Sequence, residues 1–229
     1  MLTPRRHHGP EILDQRDVPL QLRARSHRDI AVANRLFGGT RALLATLAEC
    51  AHALPRVASF LDIGTGTGEA TAHARRFGEA HGIALHTIAL DLDASLAHAA
   101  RRHADEGVCA SALELPLADR SIDVVACHQV AHHFEGAALA TLLGEMHRVA
   151  RCRVIVSDLR RSWIAACGLW LASFPLGFHP VSRHDGVVSV LRGFTVAELE
   201  SVVYDSCGVR PEVRRRPGFR LTASWTPAP

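Results

Sequence analysis

With 229 residues, 48% of them hydrophobic, the chain can bury one full core without disulfides or metal ions as staples. Its net charge of +3 with histidines neutral excludes a global basic field of the kind that gathers nucleic acid or an anionic membrane, and leaves any such role to local clusters. The six cysteines (Cys50, Cys109, Cys127, Cys152, Cys167 and Cys207) are scattered without a CxxC pair, a usage that fits reduced thiols in a cytoplasm and predicts no disulfide.

Residues 1–10 place no apolar run behind their arginines, so no cleaved secretory signal is expected. Residues 11–53 carry apolar positions at helical spacing, broken at Gly38-Gly39 and ended before Pro55, and predict an N-terminal helical arm (1–53) within the same domain as the rest of the chain. From Val57 onward short apolar runs alternate with helical stretches: a strand at 57–63, helix 68–80, strand 85–90, helix 94–104, then strands at 108–111 and 122–127. A helix at 137–149, a strand at Val154–Ser157, a long apolar insertion, a helix at 195–206 and strands at 209–214 and 219–225 complete the chain. The uncharged run Trp163–Phe178 is interrupted by Gly168, Pro175 and Gly177 and is shorter than the roughly 20 residues that span a bilayer, so no transmembrane helix is expected. The alternation predicts an α/β fold, a Rossmann-like, doubly wound and mostly parallel sheet of seven strands, with ligands beyond the carboxyl ends of the strands.

The first such end carries Asp62-Ile-Gly64-Thr65-Gly66-Thr-Gly68, where glycines permit a tight strand-to-helix turn and close approach of a ligand to the backbone. The dinucleotide fingerprint is G-x-G-x-x-G, whereas the spacing here is G-x-G-x-G, with Asp62 two residues ahead and Glu69 where the third dinucleotide glycine would fall. The second strand ends at Asp91, at the distance where a doubly wound nucleotide fold places an acid against ribose hydroxyls. Leu92 joins the same candidate set, and Asp93 is expected to cap the next helix.

Four stretches together, LDIGTGTGE, IALDLDASL, Ala112-Leu-Glu-Leu-Pro116-Leu with Ser121-Ile-Asp123-Val-Val, and Ala131-His-His-Phe134, resemble the class I methyltransferases, in particular the group that includes the ubiquinone and menaquinone biosynthesis enzymes. The resemblance covers about residues 57–158 and implies S-adenosyl-L-methionine as cofactor, with Asp62 and the glycines at its methionine part, Asp91 at the ribose and the third-strand loop at the adenine. That group usually has an acid three residues before the leucine-proline pair; here the corresponding place falls at Ser111 and Ala112, so Ser111 stands in as a weaker hydrogen-bonding group.

Methyl transfer needs chiefly alignment, and a phenol or enol acceptor also needs its proton removed, for which a base with a near-neutral pKa is suited. His128, directly after the fourth parallel strand, is one candidate base and a further cofactor contact; His184, beside Asp185 in the insertion, is a second. His132 and His133 read as structural. His128 and His132 lack a cysteine or acid at ligand spacing, so no metal is expected. An acceptor lid is expected at about 159–194, with Arg160 placed to meet a carboxylate or phenolate and Trp163, Trp170 and Phe174 lining an apolar pocket. The expected function is O- or C-methylation of a small apolar acceptor (a phenol, quinol or polyketide-like ring) by a cytoplasmic monomer or homodimer, with no nucleic-acid partner. The competing readings are a nucleic-acid or protein methyltransferase docking through Arg5-Arg6, Arg160-Arg161 and Arg214–Arg216, and a cofactor-binding subunit without activity of its own.

Overall fold

The computed structural model describes residues 3–15 and 17–228. Two helices come first, α1 (Leu20–Leu36) and α2 (Gly39–Cys50), followed by β1 (Val57–Ile63), α3 (Glu69–Ala80), β2 (Ala84–Asp91), α4 (Ala94–Ala100), β3 (Glu106–Cys109) and β4 (Ile122–His128). Then come α5 (Gly136–Val149), β5 (Ala150–Leu159), α6 (Trp163–Ala172), α7 (Pro180–Arg192), α8 (Val196–Cys207), β6 (Glu212–Arg216) and β7 (Arg220–Trp225). The strands form one sheet in the order β3-β2-β1-β4-β5-β7-β6, parallel except for β7, which runs antiparallel between β5 and β6.

Because both faces of the sheet are covered, its central strands are apolar throughout rather than alternating. In β4 every residue but the terminal His128 is buried. Phe60, Val124 and Ile155 pack on one face against Leu43 and Leu47 of α2 and Ala74 of α3. Leu61, Ile63, Val125 and Val154 pack on the other, against Leu142, Leu143 and Met146 of α5 and Leu199 and Val203 of α8. The second helix of the arm is thus part of the sheet's own core.

Several boundaries differ from the expected ones for local reasons. The helix expected at 94–104 ends at Ala100, since Asp105 must reach back to accept the backbone N–H and hydroxyl of Thr87 (2.8 and 2.7 Å). That return brings β3 in at 106–109 instead of 108–111. Pro211 lacks an N–H to donate, and the strand expected at 209–214 begins only at Glu212. The β6–β7 turn passes so close beneath α1 that a Cβ on Gly218, whose φ is +73°, would sit 2.0 Å from the Phe37 carbonyl oxygen; only glycine fits. The insertion after β5 folds as α6 and α7, packed on one another through Ala166 and Val190 with Leu169 beside them. Among the described residues no helix is long and apolar enough to cross a membrane.

Candidate active site

The strand order reverses between β1 and β4, which opens a crevice beyond their carboxyl ends. Asp62, fully buried in β1, accepts hydrogen bonds at Oδ2 from the hydroxyls of Thr65 (2.8 Å) and Thr71 (2.6 Å), while its Oδ1 has no partner. Burial raises its carboxyl to about 6, against the two threonine hydroxyls, which favour the charge. The loop is tied to the end of β2: the N–H groups of Gly64 and Thr65 donate to the Leu90 carbonyl (2.8 and 3.0 Å). Gly64 has φ +66°, and a Cβ there would lie 2.4 Å from Val130 Cγ2, so the turn closes against the loop after β4 only with glycine.

Asp91 receives the Gly66 N–H at Oδ2 (2.9 Å) and the Asp93 N–H at Oδ1 (3.0 Å), and burial raises its pKa. Asp93 in turn caps α4 by accepting the Ser95 N–H (2.8 Å). Leu92 stands between these acids with its side chain 75% exposed, an apolar surface beside the crevice. Ser111 and Ala112 lie half-buried in the turn after β3; the Ser111 hydroxyl accepts the Leu113 N–H (3.1 Å), a local turn that still leaves it free to donate. The orphaned oxygen of Asp62, the glycine cradle and Asp91 fit the polar ends of an aminoacyl-nucleoside cofactor: a carboxylate for an ammonium, backbone close to the ligand, and a carboxylate for ribose hydroxyls. Over this crevice lies α1, with Arg23 Nη1 3.1 Å from Asp93 Oδ2 and a half-buried His27, its pKa lowered by that partial burial, near Asp91.

Next to the crevice is a cavity of about 420 Å³. Its apolar wall includes Ile30 and Ala33 of α1, Phe37, Leu159, Leu169 of α6 and Val190 of α7, and its polar end holds Glu11, His132, Gln129 and Arg220. Two of its residues, Gln129 (φ 56°) and Phe219 (φ 56°), occupy the left-handed backbone region without being glycine, and such strain concentrates at functional sites. At the polar end His132 is buried, with Nδ1 2.7 Å from Asp158 Oδ1 and its backbone N–H on Asp158 Oδ2 (3.0 Å). Its pKa is raised to about 9, the carboxylates of Asp158 and Glu11 outweighing the burial that pulls it down. Glu11, His132 and His133 could in principle hold a cation, their ligand atoms lying within 4.8 Å of one another. The Glu11 carboxylate, however, is taken by the Ser189 hydroxyl (2.6 Å), and His133 Nδ1 lies 3.3 Å from Asp14.

The structure redistributes the lid residues read from the sequence. Trp163, Trp170 and Phe174 are about half exposed on the outer side of α6 and its end, where Phe174 stacks edge-on with Trp170 and carries Arg183 above its ring; none lines the cavity. Ile164, Ala165, Gly168 and Leu169 do so instead. The helix is apolar on every side, so its periodicity does not distinguish an inner face. Arg160 sits over the Phe219 ring (4.9 Å), behind the cavity wall, with its Nε buried and unpartnered. His184 points outward; its neighbour Asp185 holds the backbone N–H groups of Ile12 and Leu13 (both 2.9 Å), fixing the N-terminal segment across α7. His128 is at the end of β4 as expected, but burial and the nearby Arg220 lower its pKa to about 4, which makes it a feeble proton acceptor. His132, Asp158, Glu11 and Arg220 are the residues that the sequence reading passed over or took as structural.

Several of the clustered arginines have partners within the chain, while Arg5 and Arg215 are exposed. Arg6 donates to the carbonyls of Arg192 and Phe134, Arg161 is buried against Glu198, Arg214 pairs with Glu212, and Arg216 with Glu49.

Residues 61–156 match the family model described as a methyltransferase domain. No curated protein matches the chain. Among solved structures it is similar to a 1,6-didemethyltoxoflavin N1-methyltransferase of Burkholderia thailandensis (19% identity, TM-score 0.58, covering 99% of this chain and 100% of that one). It also resembles a magnesium protoporphyrin IX methyltransferase of Synechocystis (14%, TM-score 0.57, 93% and 90%) and a methyltransferase of Aquifex aeolicus dependent on S-adenosylmethionine (15%, TM-score 0.55, 75% and 82%). At these identities the likeness to solved structures is one of fold, and the fold is that of the class I methyltransferases.

Proposed function

We propose that this chain, a class I methyltransferase in fold with a matching methyltransferase domain at its centre, binds S-adenosyl-L-methionine in the crevice and methylates a small, largely apolar acceptor held in the neighbouring cavity. The observation that carries this reading is adjacency. Val130 packs on Gly64 of the cofactor loop, and the preceding residue, Gln129, lines the cavity, so the two compartments meet at the end of β4.

In this reading Asp62 and the glycines hold the methionine end of the cofactor, Asp91 the ribose, and Leu92, Ser111 and Ala112 the adenine side. The bound cofactor supplies an already activated methyl group. The protein's own part is to align the acceptor, to exclude water with α1 and with the lid formed by α6 and α7, and to accept a proton where the acceptor carries one. The lid occupies about 159–194, and the acceptor is an apolar ring of the phenol, quinol or polyketide-like kind, methylated on oxygen or carbon. A nucleic-acid or protein acceptor is disfavoured by the arginines' internal partners. The test is incubation with S-adenosylmethionine and a panel of phenols and quinols, followed by mass spectrometry. Gain of one methyl group supports the reading, whereas cofactor binding without any methylated product favours a non-catalytic subunit. Calorimetry showing tight NAD binding and no heat from S-adenosylmethionine would overturn the cofactor.

A further inference from the structure

Resting on the reading of the cavity as the acceptor chamber, we infer that its polar end is an oxyanion site: the acceptor presents an ionisable hydroxyl, phenolic or enolic, whose oxygen sits between the Arg220 guanidinium and the His132 imidazole. His132 and Arg220 are then the oxyanion's two counter-charges.

Both residues line the cavity, and each keeps one buried nitrogen without a hydrogen-bond partner, Nη1 of Arg220 and Nε2 of His132. Their other nitrogens are used to aim them. Arg220 Nε donates to the Phe37 carbonyl (3.2 Å), and His132 Nδ1 is held by Asp158 at 2.7 Å, which leaves Nε2 as the tautomer's free lone pair or, when protonated, as a donor. Glu11 Oε1 lies 3.7 Å from Nε2, beyond hydrogen-bond reach, and is itself satisfied by Ser189. A buried polar group left unpaired is costly, and two on one cavity wall call for a partner that arrives from outside the chain. The rest of the wall is hydrocarbon, so that partner brings a single acceptor oxygen on an apolar body. An amine would place its own donors against a guanidinium, and a plain hydrocarbon would leave both nitrogens unsatisfied. An acidic hydroxyl on a ring meets both requirements.

The step balances. On binding, the acceptor's O–H bond breaks and its proton passes to solvent, because His132, raised to about 9, is already an imidazolium at neutral pH. The oxyanion is held by that imidazolium and the Arg220 guanidinium, and its lone pair then takes the methyl group as the methyl–sulfur bond of the bound cofactor breaks, the electron pair of that bond staying on sulfur. A free phenol ionises near pH ~10, and two cationic neighbours on its oxygen favour the ionised form, which lowers that value in the site. The charged and titratable groups around His132 are Asp158 of β5, Glu11 before α1, His133 of its own turn, Arg192 of α7 on its carbonyl, His128 of β4 and Arg220 of β7.

The test uses para-nitrophenol, whose phenolate is yellow and whose phenol is colourless, titrated into protein saturated with S-adenosylhomocysteine across a pH series. The expected result is a bound probe that turns yellow at a proton concentration about tenfold or more above that needed in free solution. Arg220→Met and His132→Asn should each remove most of that displacement, Arg220→Lys should keep part of it, and Leu169→Ala should weaken binding of the probe without changing its colour. Thermal melts establish that each variant is folded, and the Lys and Asn variants carry the test if the Met variant is not. Probe bound colourless, a displacement that survives in both Arg220→Met and His132→Asn, or no probe retained by the wild-type protein would each overturn the site. Calorimetry with S-adenosylhomocysteine alone reports separately on the cofactor reading, so the two can fail independently.

Discussion

Replacing Asp62 by asparagine tests both the burial of this carboxylate and its role. In the ligand-free fold its pKa stands at about 6 against an ordinary 3.8, a difference of roughly two units. At about 1.4 kcal/mol per unit that is on the order of 3 kcal/mol against the ionised form. An acid whose folded pKa is raised binds its proton more tightly in the native state, so the cost is full above about pH 6 and fades as pH falls toward 4. Asparagine keeps an oxygen for Thr65 and Thr71 but places an amide at the position of the orphaned Oδ1, which returns about 1–2 kcal/mol of the gain. The ligand-free variant should therefore melt a few degrees above wild type at neutral pH, at about 2–4 °C per kcal/mol for a chain of this size, with the gap closing on acidification. Calorimetry should show cofactor binding largely lost. A variant that melts below wild type at neutral pH, or that binds S-adenosylmethionine unchanged, would contradict this account of Asp62.

Asp91→Ala removes the acceptor of the Gly66 and Asp93 N–H groups and should weaken cofactor binding by about 1–3 kcal/mol, read by calorimetry against an unchanged acceptor KM. Leu169→Ala, inside the cavity, should raise the acceptor KM about tenfold or more while leaving cofactor affinity intact, whereas Trp170→Ala on the outer face should change neither; the opposite pattern would place the acceptor outside the cavity. Treatment with EDTA should leave turnover unchanged, since the Glu11 carboxylate is taken by Ser189 and His133 by Asp14, which leaves His132 Nε2 alone of the three without a partner; loss of activity restored by a divalent ion would assign that cluster to a metal.

What could be read from the sequence was local. Asp62, the glycines and Asp91 announce themselves because a strand, a tight turn and a helix start stand next to one another in the chain, and the structure brings these residues together through Gly66 and Asp91. The polar end of the cavity was not legible. His132 gains its meaning from Asp158, 26 residues on, and from the N-terminal segment, and no spacing rule links Arg220 to either. The lid's aromatic residues drew attention by size, yet in a helix without a polar side the smaller Leu169 and Gly168 face inward. His128 held its expected place at the strand end, and only burial beside Arg220, a tertiary fact, makes it a poor base.

Helix α1 touches both compartments: Arg23 reaches Asp93 at the cofactor crevice, and about two to three turns further along Ile30, Ala33 and Asn34 close the acceptor cavity. A rigid rod cannot lift from one end of this surface without disturbing the other. If the two compartments hold cofactor and acceptor as proposed, exchange of both is expected to draw on the same joint at Gly38, whose φ of +75° links α1 to α2, itself packed on the sheet. On the proposed reading, product inhibition patterns are expected to show the two ligands leaving as a coupled pair; independent release of cofactor and product would contradict it.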